Sequence, residues 1–108
     1  MNLGELLKQT APEFQIAKVP VSGLGDLEVH QLSLTERFEY TADTQVVIKG
    51  DMSEEQFFDR WMWRLLAGRD RKPKKGELDH LKSILTETAE REIYSAAIYF
   101  PVENIVKK

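Results

Sequence analysis

The sequence predicts a small α+β domain, mainly helical, with one N-terminal β-hairpin and three to four helices. Three observations predict it. Gly and Pro clusters divide the 108 residues into short segments. Residues 14–32 carry near-alternating apolar and polar side chains on both sides of Ser22-Gly23-Leu24-Gly25-Asp26. The remainder carries apolar residues at helical spacing behind two serine capping boxes. The length fits one domain, taken as residues 1–108.

Taken in order, residues 3–9 can form two helical turns before Ala11-Pro12 interrupts them. Phe14, Ile16, Val19 and Val21 mark a first strand, whose Pro20 points to a sheet edge. Leu27, Val29 and Gln31 mark a second, which runs to about Leu32. A lone hairpin is marginal in water, so this one must pack on helices or on another copy's edge. Ser33-Leu34-Thr35-Glu36 is a capping box, and it predicts a helix over 33–48 with Leu34, Phe38, Ala42 and Val46 as its apolar face. Ser53-Glu54-Glu55-Gln56 is a second capping box, opening a helix over 53–67 that ends at Gly68. The stripe Leu78, Leu81, Ile84, Leu85 and Ala89 predicts a helix over 77–93, although Glu92 would then land on the buried face, so a bend or end near Arg91 is expected. Pro101 suits the first position of a short final helix, 101–106.

Composition narrows the function classes. An apolar share of 42% with a net charge of −3 describes a folded chain, not a disordered one. The chain has no cysteine, which removes disulfides, thiolate metal sites and cysteine nucleophiles. No apolar run approaches the roughly 20 residues of a spanning helix, and Met1-Asn2-Leu3-Gly4-Glu5 lacks a signal-peptide pattern, so a cytosolic protein is expected. A slightly acidic chain is a poor non-specific nucleic-acid binder. His30 and His80 read as solvated surface residues, and the acids Asp51, Glu54, Glu55 and Asp59 suit the positive end of a helix dipole. No catalytic, cofactor or metal motif emerges.

Two segments point to binding instead. Residues 69–76 hold five basic side chains, Arg69, Arg71, Lys72, Lys74 and Lys75, against one acid. A solvated connector is the plain reading of that loop; a phosphate- or partner-binding loop is the functional one. The helix over 53–67 places Phe57, Phe58, Trp61, Met62 and Leu65 in one arc of about 140°, with Trp63 about 200° from Trp61 and near Leu66. A helix apolar on two sides is buried on two sides, by its own chain or by another. Trp63 and Leu66 are therefore candidate partner contacts, with the basic loop beside them.

The order of these signals resembles the tail assembly chaperones of long-tailed bacteriophages, of the lambda minor tail protein G type. The resemblance rests on the step from Leu27-Glu28-Val29-His30-Gln31-Leu32 into Ser33-Leu34-Thr35-Glu36-Arg37-Phe38-Glu39, on the tryptophan-bearing helix around Trp61–Leu66 with its polar connector, and on the ending Tyr99-Phe100-Pro101-Val102-Glu103-Asn104-Ile105-Val106. Phe100 stands where a tryptophan would be expected, and the basic loop has no family counterpart. The resemblance implies a non-enzymatic protein without cofactor that binds the tape-measure protein and promotes polymerisation of the tail-tube protein. It implies a self-associating protein of the host cytoplasm, absent from the mature virion. Family genes commonly end in a −1 frameshift, and Lys107-Lys108 is compatible with an adenine-rich slippery stretch. A small regulator or adaptor binding nucleic acid or a protein through loop 69–76 is the alternative.

Overall fold

A computed structural model describes residues 1–8 and 14–106. The expected Gln9 at the end of the first helix, the Ala11-Pro12 break and Lys107-Lys108 lie outside the described residues. The chain is a small α+β domain: α1 (Leu3–Leu7), a hairpin of β1 (Ile16–Val21) and β2 (Gly25–His30), then α2 (Leu34–Ile48), α3 (Glu54–Ala67), α4 (Glu77–Ile84), α5 (Glu87–Ile98) and a 3-10 turn at Val102–Asn104.

The hairpin pairs Ile16 with His30 and Val21 with Gly25 in antiparallel register. Its turn closes through Leu24 N–H donating to the Val21 carbonyl at 3.0 Å, and Gly23 supplies the positive φ that this turn needs. Val19, Val21 and Val29 face inward and meet Phe58, Met62 and Leu65 of α3 and Ala89, Ile93 and Ala96 of α5, and Ala17 is also fully buried. Each fully buried large side chain here contributes about 1.5–3 kcal/mol. α3 thus fills the centre of the molecule, and the face predicted for it is the buried one.

A second core lies on the other flank of α3, where Tyr40 of α2 packs on Phe57 and Trp61. The rings meet edge to face, with centroids 5.1 Å apart for Tyr40–Phe57 and 5.4 Å for Tyr40–Trp61. Burial pushes the Tyr40 hydroxyl up to about 12.

Both capping boxes form as the sequence predicts, Ser33 with Glu36 and Ser53 with Gln56. The predicted apolar face of α2 does not. Leu34 and Phe38 are 70% and 65% exposed, and the inward face is Glu36, Tyr40, Asp43 and Val47. Polar pairing decides this rotation. Asp43 accepts from the Trp61 indole at 2.8 Å and from Arg60 at 2.8 Å. Glu36 accepts from Arg64 Nε at 2.6 Å and Nη2 at 2.9 Å, from Arg69 at 2.9 Å and from the Ser33 N–H at 3.0 Å. Arg64 also donates to the Gln31 carbonyl at 3.0 Å, which ties the end of the hairpin to the same carboxylate.

Three further expectations are corrected. The helix over 77–93 is two helices: Leu85 is extended, and Thr86 caps α5 by accepting from the Ala89 N–H at 3.1 Å. The break re-phases the stripe, so that Ala89, Ile93 and Ala96 reach the core while Ile84 turns outward, 45% exposed. It falls before Arg91, and Glu92 is accommodated by accepting from the Ser22 N–H at 3.1 Å. The helix over 101–106 is a 3-10 turn followed by an extended end, where Ile105 bridges Ala17 and Val106 donates to the Ile16 carbonyl at 2.7 Å. That end covers the outer edge of β1. His30 is not a freely solvated histidine: it is partly buried, its ring lying 3.0 Å from where a Cβ at Gly68 would sit, and Gly68 itself ends α3 at a positive φ of 85° that favours glycine.

Two outcomes follow from the polar docking of α2. Asp43→Ala orphans the buried Trp61 N–H, and urea unfolding should show a loss of about 2–3 kcal/mol, whereas Leu34→Ala in dilute solution should change stability by less than about 0.5 kcal/mol. Burial alone would raise the Glu36 carboxyl, but hydrogen bonds from Arg64, the Ser33 N–H and Arg69 outweigh it and hold its pKa at about 2. The unfolded chain then binds the extra proton between about pH 4.5 and about 2, so this contribution is complete above that window and is lost as pH falls through it. In urea midpoints measured against pH, Glu36→Gln should lower stability at neutral pH and flatten that acid limb.

Candidate partner-binding site

Of the seven sequence-predicted contact residues, Trp63, Leu66, Arg71 and Lys75 meet at the C-terminal end of α3, whereas Arg69, Lys72 and Lys74 do not line the groove there. Trp63, Leu66 and Ala67 of α3 form one wall of a groove of about 500 Å³, Arg71, Lys75 and Gly76 its rim, and Glu77, His80 and Leu81 of α4 the opposite wall. The floor is apolar and the rim cationic. Gly76 makes this possible, because its left-handed backbone turns the loop directly into α4.

Trp63 is half-buried, not a freely exposed second face. Its indole N–H donates to the Arg71 carbonyl at 2.6 Å, and the Arg71 guanidinium lies 5.4 Å from its ring centroid. The tryptophan therefore belongs to its own chain's loop as well as to the groove. Glu77 completes the arrangement, accepting from Arg71 at 2.6 Å and from the Lys74 backbone N–H at 2.7 Å. The loop is built around these bonds and is more than a solvated connector.

The five basic residues separate into two groups. Arg69 leaves the loop, bonding Glu36 and lying 4.0 Å from the Phe14 ring centroid. Arg71 is paired with Glu77. Lys72, Lys74 and Lys75 are exposed, and among the described residues none of them makes an ion pair. His80 is exposed on the groove wall, a position that sequence spacing alone did not connect to Trp63. The connection was readable only as a loop short enough to fold α4 back along α3.

A second groove of about 390 Å³ lies at the other end of α3. Val47, Phe57 and Tyr94 line it together with Glu54, Glu87 and Glu90. Burial, then the neighbouring Glu54 and Glu87, raise the Glu90 carboxyl above the ordinary glutamate value. The molecule thus presents a groove with three glutamates and Arg91 near the start of α3 and a basic one near its end, about 15 Å apart along the helix. No family model, curated protein or solved structure matches the chain.

Glu77→Ala should release the loop. Amide hydrogen exchange at residues 71–75 should accelerate at least tenfold, while global stability moves by less than about 1 kcal/mol, because the Arg71–Glu77 pair is half-exposed.

Proposed function

We propose that the chain is a non-enzymatic tail assembly chaperone of a long-tailed bacteriophage. It binds an apolar helical stretch of the tape-measure protein, promotes polymerisation of the tail-tube protein in the host cytoplasm, and does not enter the finished virion. The resemblance of the strand-to-helix step, the tryptophan helix and the Phe100-Pro101 ending supports the family. The groove at Trp63 carries the functional part of the reading. An amphipathic helix of about 10–12 Å diameter would set apolar side chains on Trp63, Leu66 and Leu81 and acidic ones against Lys75 and Arg71. Trp63 and Arg71 are already held by their mutual contact, so little side-chain freedom is lost when a partner binds.

A regulator or adaptor that binds nucleic acid through loop 69–76 is the second reading, favoured by the exposed Lys72, Lys74 and Lys75. With Arg69 and Arg71 paired internally, about three phosphate contacts remain, which corresponds to a log–log salt slope of only about −3.

Co-expression with a tape-measure protein from the same genome tests the first reading. The wild-type chain should raise the soluble yield of that protein, and reversing the exposed groove-rim charge with Lys75→Glu should reduce the gain at least threefold while the far-UV spectrum of the chain stays unchanged. Soluble yield indifferent to the chain overturns the reading. DNA retention that is lost steeply with salt and abolished by reversing Lys72, Lys74 and Lys75 would replace it with the second.

A further inference from the structure

We infer that residues 1–8 of one copy dock on the outward face of α2 and the end of α5 of a second copy. This goes beyond the groove at Trp63 and holds whatever partner that groove takes.

The donor element is α1. None of its residues is buried. Leu3, Leu6 and Leu7, at helical i, i+3 and i+4 spacing, are 69%, 56% and 75% exposed, and Met1 is 81% exposed. Asn2 caps the helix by accepting from the Glu5 N–H at 2.9 Å. Five residues are still far below the roughly 12–15 at which a helix persists alone in water. A helix this short, with one apolar stripe and no core to face, is stabilised by whatever covers that stripe.

The acceptor face lies on the same chain. Leu34 and Phe38, one turn apart on α2, are 70% and 65% exposed because polar pairs turn the opposite side of that helix inward. Beside them a groove of about 310 Å³ runs between the start of α2 and the end of α5, lined by Leu32, Leu34, Arg37, Ala97, Ile98 and Phe100. Ile98 is 44% and Tyr99 79% exposed. The charges also match. Glu5 is the acid of α1, and Arg37 lines the groove; among the described residues Arg37 bonds Thr41 but no carboxylate, and Glu5 has no cationic partner.

Area favours a second copy as the occupant. The accessible surface is 7797 Å², about 1,600 Å² more than the roughly 6,200 Å² expected of a folded 12.5 kDa monomer. At the exposures above, the arm and the face each present roughly 600 Å² of apolar side chain, so one arm-to-face contact approaches the lower bound of a specific interface and reciprocal exchange of arms reaches the standard size. In the folded chain the arm does not cover its own face, which leaves both surfaces complementary between copies.

Sedimentation equilibrium of the full chain, up to roughly 100 µM, tests the inference. The wild-type chain should associate. An arm variant, Leu6→Glu with Leu7→Glu, and a face variant, Phe38→Glu, should each be monomeric, with at least a tenfold weaker association constant and an unchanged far-UV spectrum. Mixed together, the two should recover a heterodimer, because the face variant donates an intact arm to the arm variant's intact face. A monomeric wild-type chain overturns the inference. So does association that survives both sets of substitutions, or a mixture that stays monomeric.

Discussion

One carboxylate holds the parts of this fold in register. Glu36 closes the capping box that starts α2, accepts two bonds from Arg64 of α3, and accepts another from Arg69 at the root of the basic loop. Through Arg64 it also reaches the Gln31 carbonyl at the end of the hairpin. The Arg64 and Glu36 side chains are only 11% and 19% exposed, so the pair is charge-assisted, bidentate and poorly screened. Breaking such a pair from one side costs far more than its net contribution, because the partner charge remains in place. The rotation of α2, the exit of the hairpin and the path of the loop after α3 are therefore set together.

That constraint explains why α3 serves two cores and also bears the candidate site. Its stripe from Phe58 to Leu65 packs on the hairpin and α5, while Phe57 and Trp61 meet Tyr40. The sector with Trp63, Leu66 and Ala67 lines the groove that faces the loop and α4, with Leu66 also touching the first core. With Arg69 drawn to Glu36, the loop leaves α3 on the side that lets Arg71 close over Trp63.

The sequence made local events legible and left relative orientation unreadable. Both serine capping boxes, the Gly23 turn and the core stripe of α3 are set by neighbours within four residues, and all stand as expected. The face of α2 was misjudged because apolar periodicity presumes that burial follows hydrophobicity. Here Glu36 and Asp43 are drawn inward by partners on α3, at separations of 28 and 18 residues, and no local pattern announces such pairing. The break after Ile84 was signalled by Thr86 ahead of Glu87 and Glu90, yet the continuous stripe up to Ala89 obscured it. At the site, Trp63, Leu66, Arg71 and Lys75 were legible as a group. Arg69 was not separable from them, since its partner lies 33 residues away.

A helix that docks through polar pairs leaves its apolar residues for other surfaces. Completing the burial of Leu34 and Phe38 would contribute about 2–4 kcal/mol, a sizeable fraction of the stability of a domain this size. In the single chain that contribution is forgone, and exposed apolar surface of this extent makes a chain sticky unless a matched surface covers it. α1 has the inverse shortage, an apolar stripe with no core to enter. The two unsatisfied surfaces lie on residues other than those of the groove at Trp63, so a substitution in either can be read separately from one in that groove.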